Sequence, residues 1–129
     1  MFHEYVRPVH YPTLTTFCTA LTGIEQPTVD NADTFPDVWT RYLAWLAHVI
    51  KALGDDSSSF AFLTCGAWDL KTCLPTQLSN AGLASQKLPD LLRAKRVINV
   101  KNEFRKHYAL KKAKGMDGML KYLKEPLVV

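Results

Sequence analysis

The order of sequence patterns in this 129-residue chain predicts an α/β fold. Three observations carry that reading. The run Phe60–Cys65 is short and continuously apolar, ends at Gly66 and is followed by an acid, Asp69, as a buried strand leading to a sheet edge should be. The segment from Thr34 to Gly54 repeats its apolar residues at helical spacing. Phe2–Arg7 alternates apolar and polar residues up to Pro8, the pattern of a short strand. Helices alternating with a few strands are the signature of the α/β class.

Each element follows in order. After Pro12-Thr13-Leu14 the apolar positions Leu14, Phe17, Cys18 and Leu21 predict a helix, which Gly23 stops. Gln26–Ala32 reads as one or two further helical turns. Thr34-Phe35-Pro36-Asp37 is a helix start: a capping hydroxyl, proline in the first turn and an acid against the dipole. The helix it opens carries Val38, Tyr42, Trp45, Leu46, Val49, Ile50 and Leu53 on one face, with Trp45 read as core. Asp55–Ser59 is a polar loop. A helix from near Trp68 runs past Leu74, and Pro75 is expected to kink or interrupt it. Gln86–Leu92 is irregular, Val97–Val100 a short strand and Lys101–Leu110 a basic helix. Gly115–Lys124 is a last helix with Met116, Met119, Leu120 and Leu123 facing inward.

Composition narrows the classes. A chain of this length suits one domain with one core, and 47% hydrophobic with 22% charged residues is globular rather than disordered. No apolar run reaches the roughly 18 residues of a membrane span. The N-terminus lacks the layout of a secretory signal. Cys18, Cys65 and Cys73 form no even framework, so three reduced and largely buried thiols in an intracellular protein, cytoplasmic or nuclear, are expected. The four scattered histidines suggest no zinc site. Net charge is +4 but unevenly spread. Residues 1–85 hold four basic against eight acidic residues, and residues 86–129 hold twelve against four. A basic third beside an acidic remainder fits a surface tracking a polyanion next to a cation-holding site, and equally a set of solvated helix faces.

On position alone, Asp69 is a metal ligand, a helix cap or both. Trp68 is either a ring platform or a core residue covering the sheet edge, and Phe17 lies on an apolar helix face. An aromatic beside a carboxylate at the C-terminal edge of a strand suits a nucleotide.

The order of motifs makes the reading sharper. Phe2-x-x-Tyr5-Val6-Arg7-Pro8 is followed by Leu14-x-x-Phe17-Cys18-x-x-Leu21-Thr22-Gly23-Ile24-x-Gln26-x-x-Val29-Asp30-x-Ala32-x-x-Phe35. Thr64-x-Gly66-x-Trp68-Asp69 and Ile98-Asn99-x-Lys101 come after it. From Phe2 to about Leu123 the chain resembles the DEDDh 3′→5′ exoribonucleases of the histone-mRNA and small-RNA type, the Eri and Snipper relatives. One departure is Val97, where relatives commonly carry Trp.

The resemblance implies a ribonuclease H-like exonuclease fold, here a single partial domain over residues 1–129. It also implies phosphodiester hydrolysis with two Mg²⁺ ions held by four carboxylates, a histidine acting as base. Asp69 matches the carboxylate of the second motif, a catalytic metal ligand. Phe17 and Trp68 match the aromatics that hold the terminal nucleotide, and stacking of that kind tolerates any base. The implied partner is the single-stranded 3′ end of RNA in preference to DNA. The family's first motif, Asp-x-Glu on a strand, belongs before Phe2. Its His and Asp motif belongs after Leu123. The first two strands and last helix of the family fold are therefore expected to lie outside these residues, leaving one of four metal carboxylates and no catalytic His within them. His107, in a basic helix without matching surroundings, is no substitute. Two readings follow: part of an active 3′→5′ exonuclease, or a non-catalytic RNA-binding or regulatory module of the same fold.

Overall fold

A computed structural model describes residues 1–54, 61–85 and 97–126. The chain divides into two compact units, Met1–Asp56 and Ser57–Val129. The predicted loop Asp55–Ser59 and irregular segment Gln86–Leu92 lie outside the described residues.

The first unit is helical. Helix α1 spans Thr16–Thr22, α2 Gln26–Asp30 and α3 Phe35–Ala52. Helix α1 begins two residues later than its apolar spacing suggests, because Thr15 is the cap: its hydroxyl accepts the Cys18 N–H at 3.1 Å. Gly23 ends the helix in the left-handed region at φ 70°, a conformation that glycine adopts without strain. Thr34 occupies the N-cap of α3, but its hydroxyl donates to Asp37 Oδ2 at 2.7 Å and caps no backbone group. The core of this unit is Val29, Val38, Trp39 and Leu46. Trp39, absent from the predicted face, belongs to an aromatic ladder of Phe35, Trp39, Tyr42 and Trp45, with successive ring centroids 5.4–5.9 Å apart. Trp45 is half-buried.

The predicted strand Phe2–Arg7 is corrected. Arg7 alone forms a parallel bridge, to Thr34, with its N–H on the Asp33 carbonyl at 2.9 Å. Alternation makes a strand only where a second backbone runs alongside it, and α3 begins at Phe35. Side chains fasten the segment instead. Phe2 packs edge-on to Tyr42, and Arg41 donates to both Glu4 carboxylate oxygens while pairing with Asp33 at 3.0 Å.

In the second unit β1, Phe62–Thr64, pairs in parallel with β2, Val97–Asn99, in the register Phe62 with Val97, Leu63 with Ile98 and Thr64 with Asn99. The expected strand Phe60–Cys65 is therefore shorter, with Phe60 outside the described residues. It is also not buried: Leu63 is 68% exposed beside an exposed Ile98. A continuous apolar run predicts cover on both faces, whereas this pair has one open face among the described residues.

A π-helical turn, Asp69–Cys73, leads into α4, Leu74–Asn80. Pro75 stands where the π turn gives way to α4, so the expected interruption takes the form of a wider turn while the helical path continues. The wider turn, in which Leu74 N–H donates to the Asp69 carbonyl, accommodates the ring that an α-turn would crowd. Helix α5 spans Val100–His107 and α6 Met116–Leu123. Phe104 and Tyr108 meet Tyr122 at centroid distances of 5.6 and 4.9 Å, which joins the two helices. Among the described residues of this unit, Leu78 and Met119 are buried. Met116 and Leu123, expected to face inward, are exposed. Cys18 and Cys73 are exposed and Cys65 half-buried, so the thiols are free as expected but not largely buried. Among the described residues no helix is long and apolar enough to cross a membrane.

Candidate nucleic-acid interface

The site in the second unit is built on a single amide. Asn99, the last residue of β2, caps α5. Its Oδ1 accepts the Lys101 N–H at 3.1 Å. The same oxygen accepts the Gly66 N–H, also at 3.1 Å, from the turn that follows β1. Thr64 completes the clip by donating its hydroxyl to the Gly66 carbonyl at 2.6 Å. Gly66 sits at φ 122°, a left-handed backbone that side chains rarely allow. The spacings Thr64-x-Gly66 and Asn99-x-Lys101 are thus two halves of one hydrogen-bonded joint, which sequence reading treated as separate motifs.

Two residues beyond this joint the chain enters the π turn, which fixes the backbone of Trp68 and Asp69. Trp68 is helical, at φ −59° and ψ −46°, and 68% exposed. The core reading of this ring fails, and its face is open to a ligand. Asp69 is exposed in the first helical turn and makes no side-chain cap. The cap reading therefore finds no hydrogen bond, and its carboxylate forms no ion pair among the described residues.

Phe17 belongs to the first unit. It stands on α1, 71% exposed, so it is no core residue. The motif around it is a brace. Gln26 Oε1 accepts the Leu14 N–H at 2.7 Å, and Gln26 Nε2 donates to the Pro12 carbonyl and to Asp30. Thr22 Oγ1 donates to the Cys18 carbonyl at 2.8 Å and accepts the Ile24 N–H at 3.2 Å. The Leu-Thr-Gly-Ile-x-Gln pattern thereby holds a short helix that buries none of its residues.

The described part of the basic third lies on α5, α6 and the residues between and just after them; Lys87, Arg93, Lys95 and Arg96 fall outside the described residues. Lys106 pairs with Glu103 and Lys121 with Asp117 on their own helices. Lys101, Arg105, Lys111, Lys112 and Lys114 form no ion pair among the described residues. His107 lies edge-on to Tyr108 at 4.6 Å, a packing role.

These features meet in known proteins. The family model described as Exonuclease matches residues 1–125. The chain belongs to that exonuclease family. It is 46% identical over 82 residues to the human ERI1 exoribonuclease 3, which covers 64% of this chain and 24% of the relative. It is 37% identical over 107 residues to the human 3′-5′ exoribonuclease 1, covering 83% and 28%. The chain thus spans about a quarter of the length of the curated relatives it matches.

Among solved structures, the nuclease domain of 3′hExo, a DEDDh family member bound to rAMP, superposes with a TM-score of 0.78 at 31% identity. The match covers 99% of this chain and 60% of that one. A 3′-exonuclease in 3′-end-specific recognition of a histone mRNA stem-loop superposes with a TM-score of 0.79 at 29% identity, covering 99% and 54%. The fold is therefore that of the ribonuclease H-like DEDDh exonucleases.

Nucleases of this family depend on divalent metal. A two-ion centre needs several converging oxygen ligands. Among the described residues no group of three or more His, Cys, Asp and Glu side chains could hold an ion. Asp69 by itself does not fit a two-metal site, and no catalytic step is assigned to these residues through one.

Proposed function

We propose that this chain contributes the strand-end-holding part of a single 3′→5′ exonuclease domain acting on RNA, both compact units belonging to that domain. The observation that carries the reading is the pair Trp68–Asp69: an open ring and an unpaired carboxylate, set side by side by the Asn99 joint within a chain of the exonuclease family. Trp68 stacks on the terminal nucleotide, a contact that tolerates sequence because every base has a π-face, and Phe17, in the first unit, is likewise an exposed ring able to stack on a base. Asp69 would supply one of the several oxygen donors that Mg²⁺, a hard cation that prefers carboxylate and water, requires, the others coming from outside the described residues. The unpaired lysines and arginine of the basic third attract the phosphates behind the terminal nucleotide. Three free thiols support an intracellular setting, cytoplasmic or nuclear.

The test uses the protein expressed from its own transcript, 5′-labelled single-stranded RNA and Mg²⁺. Stepwise shortening from the 3′ end, lost in Asp69→Asn and weaker on DNA of the same sequence, is the expected result. Salt-sensitive RNA binding without any shortening would replace this reading with the non-catalytic RNA-binding module. Absence of both would end it.

A further inference from the structure

The Ile98-Asn99-x-Lys101 motif does more than close the joint. A Cβ built on Gly66 would lie 3.4 Å from Lys101 Nζ and 3.8 Å from its Cε. The lysine side chain is therefore laid along the bare backbone of Gly66, with its ammonium at the edge of the sheet that leads to Trp68. The half-buried Lys101 forms no ion pair among the described residues. Beside it opens a cavity of about 310 Å³ lined by Gly66, Ala67, Leu70, Lys71, Asn99 and Asn102, together with Val97. Among the described residues no carboxylate lines it. The Oδ1 of Asn99 is committed to two backbone N–H groups, so its amide nitrogen is the polar atom left to donate.

We propose that Lys101 is a phosphate-binding residue, its ammonium holding a phosphodiester of the single strand whose terminal base stacks on Trp68. The inference rests on the functional reading above and adds a residue to it. A cavity lined by Lys71, flanked through Gly66 by Lys101 and offering amide donors suits an acceptor-only, negatively charged group. A phosphodiester is the group that a nucleotide on Trp68 carries towards its neighbour. Gly66 serves the contact as well as the turn: its missing side chain leaves the ammonium uncovered. Lys71, on the π turn, lines the same cavity and adds to the field.

The experiment measures binding of a fluorescein-labelled single-stranded RNA to the 129-residue chain across a salt series. Wild type is compared with Lys101→Met, which keeps the aliphatic stem, and with Lys101→Arg, which keeps the charge. Circular dichroism verifies that each variant is folded. One phosphate contact on a single strand accounts for about 0.7 in the slope of log affinity on log salt. Lys101→Met should lose that amount while Lys101→Arg retains it. Replacing the 3′-terminal linkages with uncharged methylphosphonates should weaken wild type to the level of Lys101→Met and weaken that variant no further. A Lys101→Met slope equal to wild type, or a full additional loss with methylphosphonate, overturns the assignment. If wild-type RNA binding is itself absent, the functional reading fails and takes this one with it. If wild type binds and only Trp68→Ala weakens it, Lys101 alone is ruled out.

Discussion

Replacing Asn99 with alanine should loosen the second unit at a defined point. The Oδ1 of Asn99 accepts two backbone N–H groups, from Lys101 and Gly66, each at 3.1 Å. Loss of a helix N-cap costs about 1 kcal/mol. Stranding a second, part-buried N–H at Gly66 adds roughly 1–2 kcal/mol, the lower part of the usual range because water reaches the turn. The sum is about 2–3 kcal/mol, a large fraction of the roughly 5–15 kcal/mol that stabilises a domain of ordinary size. At about 4 °C per kcal/mol for a chain of this length, melting should fall by roughly 8–12 °C. Thermal unfolding followed by circular dichroism measures the shift. Hydrogen exchange locates it: the Gly66 and Lys101 amides should exchange faster, while the Arg7 amide, bonded to Asp33 in the other unit, should not change. Asn99→Asp keeps the acceptor oxygen and should stay close to wild type. Unchanged Gly66 exchange in Asn99→Ala would refute the joint.

Trp68→Ala should weaken single-stranded RNA binding by about 1–3 kcal/mol, roughly 5- to 150-fold, since the ring is largely exposed and free to stack; fluorescence anisotropy with unchanged affinity would show that no base sits there. The purified 129-residue polypeptide should release no mononucleotides from labelled RNA in Mg²⁺, because among the described residues no group of carboxylates could hold the ions such hydrolysis needs; release that Asp69→Ala abolishes would contradict this. The hydrogen bonds from Arg41 hold the Glu4 carboxyl below its ordinary value. A depressed carboxylate pKa stabilises the folded state above the ordinary value, and that contribution is lost as pH falls through the depressed one. The N-terminal segment should therefore loosen on acidification below about pH 4. Tryptophan fluorescence reports this as Phe2 leaves Trp45, and Glu4→Gln should flatten the response.

Some helix ends were legible because they depend on neighbours within a few residues. Gly23 ends α1 where a left-handed residue is needed and Pro36 sits in the first turn of α3, whereas the basic helix runs Val100–His107 rather than Lys101–Leu110 because Asn99, read as part of the strand, is its cap. The family and its fold were legible from the order of motifs alone. Strands were harder, because a strand exists only when another backbone pairs with it. The alternation of Phe2–Arg7 carries no information about a partner, and the segment is held by the Arg41 ion pairs and by Phe2 against Tyr42. Pro75 signals a break, yet the π turn absorbs it by lengthening one hydrogen-bonded ring.

Burial was the other property that composition could not decide. Phe17 and Trp68 are apolar and sit at positions where a core ring is the ordinary expectation, but both stand in solvent. What covers an apolar side chain depends on every element packed around it, whereas helix caps and turns depend on adjacent residues. For the same reason the sequence alone determined the presence of the helices and the family. Only the tertiary structure decided that one amide binds Gly66 to Lys101 across 33 and 2 residues of chain. That joint connects residues far apart in sequence through a shared acceptor atom, and no local pattern records such a pairing.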